Sequence, residues 1–162
     1  MNRRAIPIFV VLALLLGAQA FSQARLIVKT VCYVSESVKV FPIDKDHLML
    51  MLDENGIQSS DKPAFNNISC HFSTVAYIEK GVTRFHGYGV YTDKDGDMIL
   101  TEYVDNPAVT SGGKAKVIGA TGKFAGIEGT SDYASEFPKA WPEGTGRLIA
   151  RGDWNFTLRN PL

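Results

Sequence analysis

The sequence predicts an all-β protein, an antiparallel meander of about eight strands closing into a small barrel. Apolar and polar side chains alternate with a period of two along most of the chain, and helical periodicity is nearly absent. Gly-containing turns punctuate the alternating segments. Three consecutive connections are short hairpins, which leaves no helix-sized gap for a parallel crossover. A two-sheet sandwich is the alternative arrangement of the same strands.

The elements follow in order. Leu26 to Tyr33 is rich in β-branched residues and reads as the first strand. His47 to Asp53 (HLMLMLD) is an apolar strand, with a tight hairpin expected at Glu54-Asn55-Gly56 because Asn-Gly supplies positive φ. Ile68 to Ile78 closes at Glu79-Lys80-Gly81, Val82 to Thr92 follows, and Lys94-Asp95-Gly96 leads into Met98 to Val104. Lys114 to Ile118, Thr130 to Phe137 and Gly146 to Leu158 complete the set. The last strand has the cleanest faces: Leu148, Ala150, Gly152, Trp154, Phe156 and Leu158 point one way. Arg147, Arg151, Asp153 and Asn155 point the other, so one face is expected dry and the other wet. Strand-interior glycines (Gly87, Gly89, Gly152) favour a coiled, closing sheet.

Residues 1–24 read as a cleaved signal peptide. Arg3 and Arg4 precede an unbroken apolar run from Ile8 to Leu16, and Ala18-Gln19-Ala20 and Ser22-Gln23-Ala24 each offer a small-x-small cleavage site. Cleavage is expected after Ala24, with Ala20 as the alternative. The apolar run is shorter than the ~20 residues a spanning helix needs. The expected mature chain, 25–162, is one β-barrel domain, exported to the periplasm or the extracellular space without stable membrane insertion. An outer-membrane barrel fits the length, but most strands lack clean lipid-facing alternation.

The whole chain carries 17 basic and 17 acidic residues, and loss of Arg3 and Arg4 with the signal leaves a net charge of −2. Nucleic acid is excluded as a partner, since no basic stripe is available to neutralise phosphates. Cys32 and Cys70 are the only cysteines and read as one disulfide in an oxidising compartment, two buried thiols being the rival reading.

Each motif has a structural counter-reading. Asp93, Asp95 and Asp97 alternate in YTDKDGD, but an EF-hand spacing would put Gly and Glu where Gly96 and Val104 do not fit, so a solvated hairpin tip is expected and no metal. Gly119 to Gly129 (GATGKFAGIEG) lacks the hydroxyl and the first glycine of a phosphate loop. It reads instead as one helical turn capped by Thr121, with Phe124 and Ile127 plugging a barrel end. Gly152-Asp153-Trp154 matches the lipocalin Gly-x-Trp by coincidence, since lipocalins carry it on the first strand. Asn67-Ile68-Ser69 and Asn155-Phe156-Thr157 are glycosylation sequons.

One constellation carries chemistry. If Lys94-Asp95-Gly96 is a three-residue loop, Tyr88 pairs with Glu102 and His86 shares their face, where acid, phenol and imidazole suit general acid–base work inside a barrel; a two-residue Asp95-Gly96 turn instead sets Glu102 opposite Gly89. The counter-reading puts that face outside. Tyr88, Glu102, His86 and Trp154 are the candidate ligand-lining residues, and no catalytic residue is assigned.

Ala120-Thr121-Gly122-Lys123-Phe124-Ala125-Gly126-Ile127-Glu128-Gly129, with the Asp-rich turn upstream, resembles the small exported bacterial proteins of the allene oxide cyclase barrel-like (calycin-like) group. Their segment reads Gly-Thr-Gly-Lys-Phe-x-Gly-Ile-x-Gly, with Ala120 here replacing the first glycine. The resemblance implies an eight-stranded antiparallel barrel with an apolar cavity and no cofactor, in a group whose plant enzymes are often homo-oligomers and cyclise an unstable fatty-acid epoxide. The expected function is non-enzymatic binding of a small apolar molecule in the lumen. A cofactor-free isomerase or cyclase, and an interaction or inhibitor module using the barrel exterior, are the alternatives.

Overall fold

The computed structural model describes residues 24–106, 111–137 and 146–159. The signal-peptide reading therefore lies outside the described residues, except for Ala24. Eight antiparallel strands follow one another around a closed barrel: β1 (Ala24–Pro42), β2 (His47–Ser60), β3 (Ile68–Glu79), β4 (Val82–Thr92), β5 (Met98–Asp105), β6 (Gly112–Ala120), β7 (Glu128–Glu136) and β8 (Gly146–Leu158). Each strand pairs with the next, and β8 pairs with β1 from Ala24↔Leu158 to Glu36↔Gly146, which closes the sheet. The barrel, rather than the sandwich, is the fold.

The first hairpin differs from its expected position. Asn55 and Gly56 lie inside β2, opposite Ser35 and Val34, and β1 runs on to Pro42. The turn sits instead at 43–46, where Pro42 ends the strand and Asp44 accepts hydrogen bonds from the Asp46 backbone N–H (2.8 Å) and His47 Nδ1 (2.7 Å). A side chain at Gly56 would collide with the Tyr33 carbonyl, so this glycine serves close strand approach and not a turn. The other hairpins hold: Lys80 and Gly81 both have positive φ, and β4 pairs with β5 in the register Tyr88↔Glu102.

One end of the barrel is plugged. The turn Pro63–Phe65 folds beneath the strands, and Gln58 Nε2 donates to the Phe65 carbonyl at 3.1 Å to fix it. Phe65 stacks on Phe156 with centroids 5.0 Å apart, and Phe156 stacks on Trp154 at 5.2 Å. Phe124 and Ile127, from the turn Gly122–Phe124 and the residues after it, complete this buried cluster. Thr121 does not cap that turn: its Oγ1 accepts from the Met98 backbone N–H at 2.9 Å.

The segment around Gly122 is a clasp. Gly122 has φ +56°, and any side chain there would overlap the Asp97 carboxylate. That carboxylate accepts from the Lys123 backbone N–H at 3.1 Å, while Lys123 Nζ pairs with Asp93. Asp93 Oδ1 also accepts from the backbone N–H groups of Asp95 (2.8 Å) and Asp97 (2.9 Å). The aspartates thus bind their own loop and a lysine, and the described residues hold no metal-ligating cluster of three. The motif that carried the resemblance is accounted for as the fastening of the barrel's closed end.

Candidate functional site

With the floor plugged, the space left is the other half of the lumen, a cavity of about 650 Å³ open at the end formed by the β1–β2 and β3–β4 turns. Strand parity decides what faces it. On β1 the inner positions include Thr30, Cys32, Val34 and Glu36; on β2 they include Leu52, Glu54 and Gln58. Apolar side chains such as Leu52, Phe72, Ala76 and Phe85 make up most of the wall above Trp154.

The polar feature of this wall is a hydrogen-bonded chain. Thr74 Oγ1 donates to Glu54 Oε2 at 2.5 Å, and the Tyr103 hydroxyl lies 2.5 Å from Thr74 Oγ1 and 3.4 Å from the same carboxylate oxygen. Since threonine has one proton and gives it to the carboxylate, Tyr103 donates to Thr74. Glu36 lies directly opposite Glu54 on the neighbouring strand. Burial pushes the Glu54 carboxyl above the usual carboxylate range, and the negative charge of Glu36 adds to the rise, while the Thr74 bond opposes it. Burial raises Glu36 as well. Tyr103 and Tyr133 are pushed well up by burial, so both phenols stay neutral.

Cys32 and Cys70 are buried side by side with Sγ atoms 2.8 Å apart but not bonded, so the structure holds two thiols where the sequence suggests a disulfide. They stand on β1 and β3, flanking β2, where Cys32 lies opposite Gln58 and Cys70 opposite Gly56. The hydrogen bond to Cys70, then burial, holds the Cys32 thiol well above its ordinary value.

The sequence-predicted residues divide. Trp154 is inside, 5% exposed, and Asp153 is outside. Tyr88, His86 and Glu102 share one face in the expected register, but that face is the outer wall, which corrects their placement in the lumen. Tyr88 is 52% exposed. The reason is steric: Gly87 and Gly89 must face inward, because a side chain at either would strike the Tyr103 or Phe72 ring, and this turns the alternate residues of β4 out. There Glu102 bonds His86 Nε2 (2.9 Å) and Lys116 Nζ (2.7 Å), and Lys116 first, then His86, holds its carboxyl low. It is a solvated ion-pair network. Glu36, Glu54, Thr74 and Tyr103 were not singled out by sequence. The signal that finds Glu36 and Glu54 is unbroken alternation through Cys32-Val34-Glu36 and Glu54-Gly56-Gln58.

Fold and site together define a closed eight-stranded barrel with one sealed end and one ligand-sized lumen. No family model matches the chain, and no curated protein matches it. Among solved structures it is similar to the pterocarpan synthase dirigent protein GePTS1, with a TM-score of 0.51 and 11% identity over 87% of this chain and 90% of that one. It is likewise similar to the pterocarpan synthase dirigent protein PsPTS1, with a TM-score of 0.53 and 10% identity over 86% and 97%. These likenesses establish the barrel fold.

Proposed function

We propose that the protein binds a small, mainly apolar molecule in its lumen, with the polar end of that molecule at Glu54. The carrying observation is the cavity of about 650 Å³, sealed below by aromatic rings and open above. Ligand pockets of soluble proteins run to ~300–1,000 Å³, are mostly apolar and hold a few placed polar groups, which describes this one. The leader-like residues 1–24 support export, and the resemblance of Ala120–Gly129 supports placement in the allene oxide cyclase barrel-like group.

The test is binding of a neutral fluorescent probe, N-phenylnaphthylamine, whose emission rises in an apolar site. Ala76 is buried in the lumen wall, so Ala76→Trp takes up part of the cavity and should weaken probe binding severalfold while leaving the melting temperature within a few degrees. Tyr88→Trp, on the outer wall, should leave it unchanged. Probe affinity unchanged by Ala76→Trp would overturn the reading.

A further inference from the structure

Glu36 and Glu54 are direct cross-strand partners on the inner wall. Like charges placed so on one face of a sheet repel, and the repulsion grows as water is excluded. Among the described residues, the arginines around the open end are engaged elsewhere: Arg84 with Asp105 at 2.8 Å, and Arg151 with Glu136 at 3.3 Å. The titratable groups that act on Glu54 are Glu36 and Cys32 on β1, its neighbour Asp53, Tyr103 on β5 and Tyr133 on β7, and none of these is a cation, while Arg84, Asp105 and Arg151 line the same cavity. Aromatic faces complete the surroundings. Phe72, opposite Glu54 on β3, meets Tyr91 at 5.5 Å and Tyr103 at 5.9 Å between centroids.

Two facing carboxylates beside aromatic rings, in a mainly apolar lumen whose described arginines Arg84 and Arg151 pair with Asp105 and Glu136, form a receptor for a cation. A neutral hydroxyl would need one acceptor. An ammonium brings three donors and a positive charge, and it is attracted by both carboxylates and ring faces. We infer that the lumen selects molecules carrying a protonated amine on an apolar body, with the ammonium seated between Glu36 and Glu54. The inference rests on the lumen-binding reading and narrows its ligand class. Binding leaves the proton on the amine, and a carboxyl that was protonated in the empty lumen gives its proton to solvent.

Decylamine, decanol and decanoate share one tail and differ in the head, and each can compete with N-phenylnaphthylamine. At about pH 8 the alkylamine is protonated, as a lysine would be. Decylamine should displace the probe at a concentration at least about tenfold lower than decanol, the gain of a charge-assisted contact. Decanoate should be the weakest. The amine-to-alcohol ratio should shrink as pH falls and the carboxyls protonate. Glu54→Gln, whose amide oxygen still accepts from Thr74, should bring the ratio close to one. Glu36→Gln, at a less buried position, should lower it independently. Equal potency of amine and alcohol, preference for decanoate, or a ratio unmoved in both variants would overturn the inference while leaving the binding reading intact. Failure of the neutral probe to bind the lumen would instead remove that reading and this one with it.

Discussion

Replacing Glu54 by glutamine removes a charge from the lumen and leaves its shape almost unchanged, so its effect on stability isolates that charge. Glu54 is 7% exposed, faces Glu36 across the strand pair and keeps one strong donor, Thr74, at 2.5 Å. The amide oxygen of glutamine preserves that bond, and its NH₂ offers a donor toward Glu36. A directly opposed like-charge pair costs roughly 0.2–1 kcal/mol, and desolvation of the carboxylate adds a term of similar size, so the variant should be more stable by about 1–2 kcal/mol at about pH 8. The pH dependence has a definite sign. A carboxyl whose folded pKa is raised contributes stability that is complete below its unfolded value, about 4.3, and is lost as pH rises through the folded value. The advantage of Glu54→Gln should therefore be largest at about pH 8 and vanish below about pH 4. Carboxylates held low, such as Asp44, Asp93 and Glu102, act in the opposite sense, losing stability as pH falls. They are common to both proteins and cancel in the difference. Urea denaturation of the two proteins at each pH, extrapolated linearly, measures it. A variant less stable than the parent at about pH 8, or a gap that ignores pH, would refute the reasoning.

Trp154, 5% exposed and stacked on Phe156, should cost about 3–5 kcal/mol as Trp154→Ala, while Asp153→Ala should cost less than about 0.5 kcal/mol. Urea melts giving the reverse order would mean the faces of β8 are exchanged. Treatment with oxidised glutathione, which takes up the two electrons, should join Cys32 to Cys70, and thiol titration of the unfolded protein should then find none free. Closing a loop between residues 38 apart in sequence should raise stability by about 4 kcal/mol in the chain-entropy model, and a smaller or negative change would point to strain. Millimolar calcium and chelator should give coincident thermal melts, because Lys123 and backbone N–H groups already occupy Asp93.

Much of the fold is legible because local signals there agree with one another. At β3–β4 the Lys80-Gly81 turn, the alternation on either side and the register all place the same residues opposite each other. The β4–β5 register follows from the same reasoning around Asp95. The β1–β2 hairpin shows the limit. Asn55-Gly56 has ideal turn chemistry, yet glycine is also the residue that fits where a neighbouring backbone approaches closely, and Tyr33 does so. The competing turn at 43–46 is assembled from side-chain bonds of Asp44, which a dipeptide preference does not register.

That one turn decides the site. A tip at Asn55-Gly56 leaves Glu54 at a solvated corner and ends β1 before Glu36. A turn at 43–46 puts both carboxylates on the inner face and in register with each other. His86, Tyr88 and Glu102 show the converse, since there the register was readable and the face was not. Periodicity says that two sets of residues face opposite ways, and only packing says which set is inside. Gly87 and Gly89 settle it by leaving space for the Tyr103 and Phe72 rings. The interior pair then has a physical logic that pairwise patterns do not reveal. Placing Glu36 against Glu54 works against folding, and the stability that tolerates it comes from elsewhere, from the Phe65, Phe156 and Trp154 stack at the sealed end. A locally unfavourable arrangement maintained by a well-packed remote core fits the proposed lumen-binding role, in which the interior serves a ligand as well as the fold.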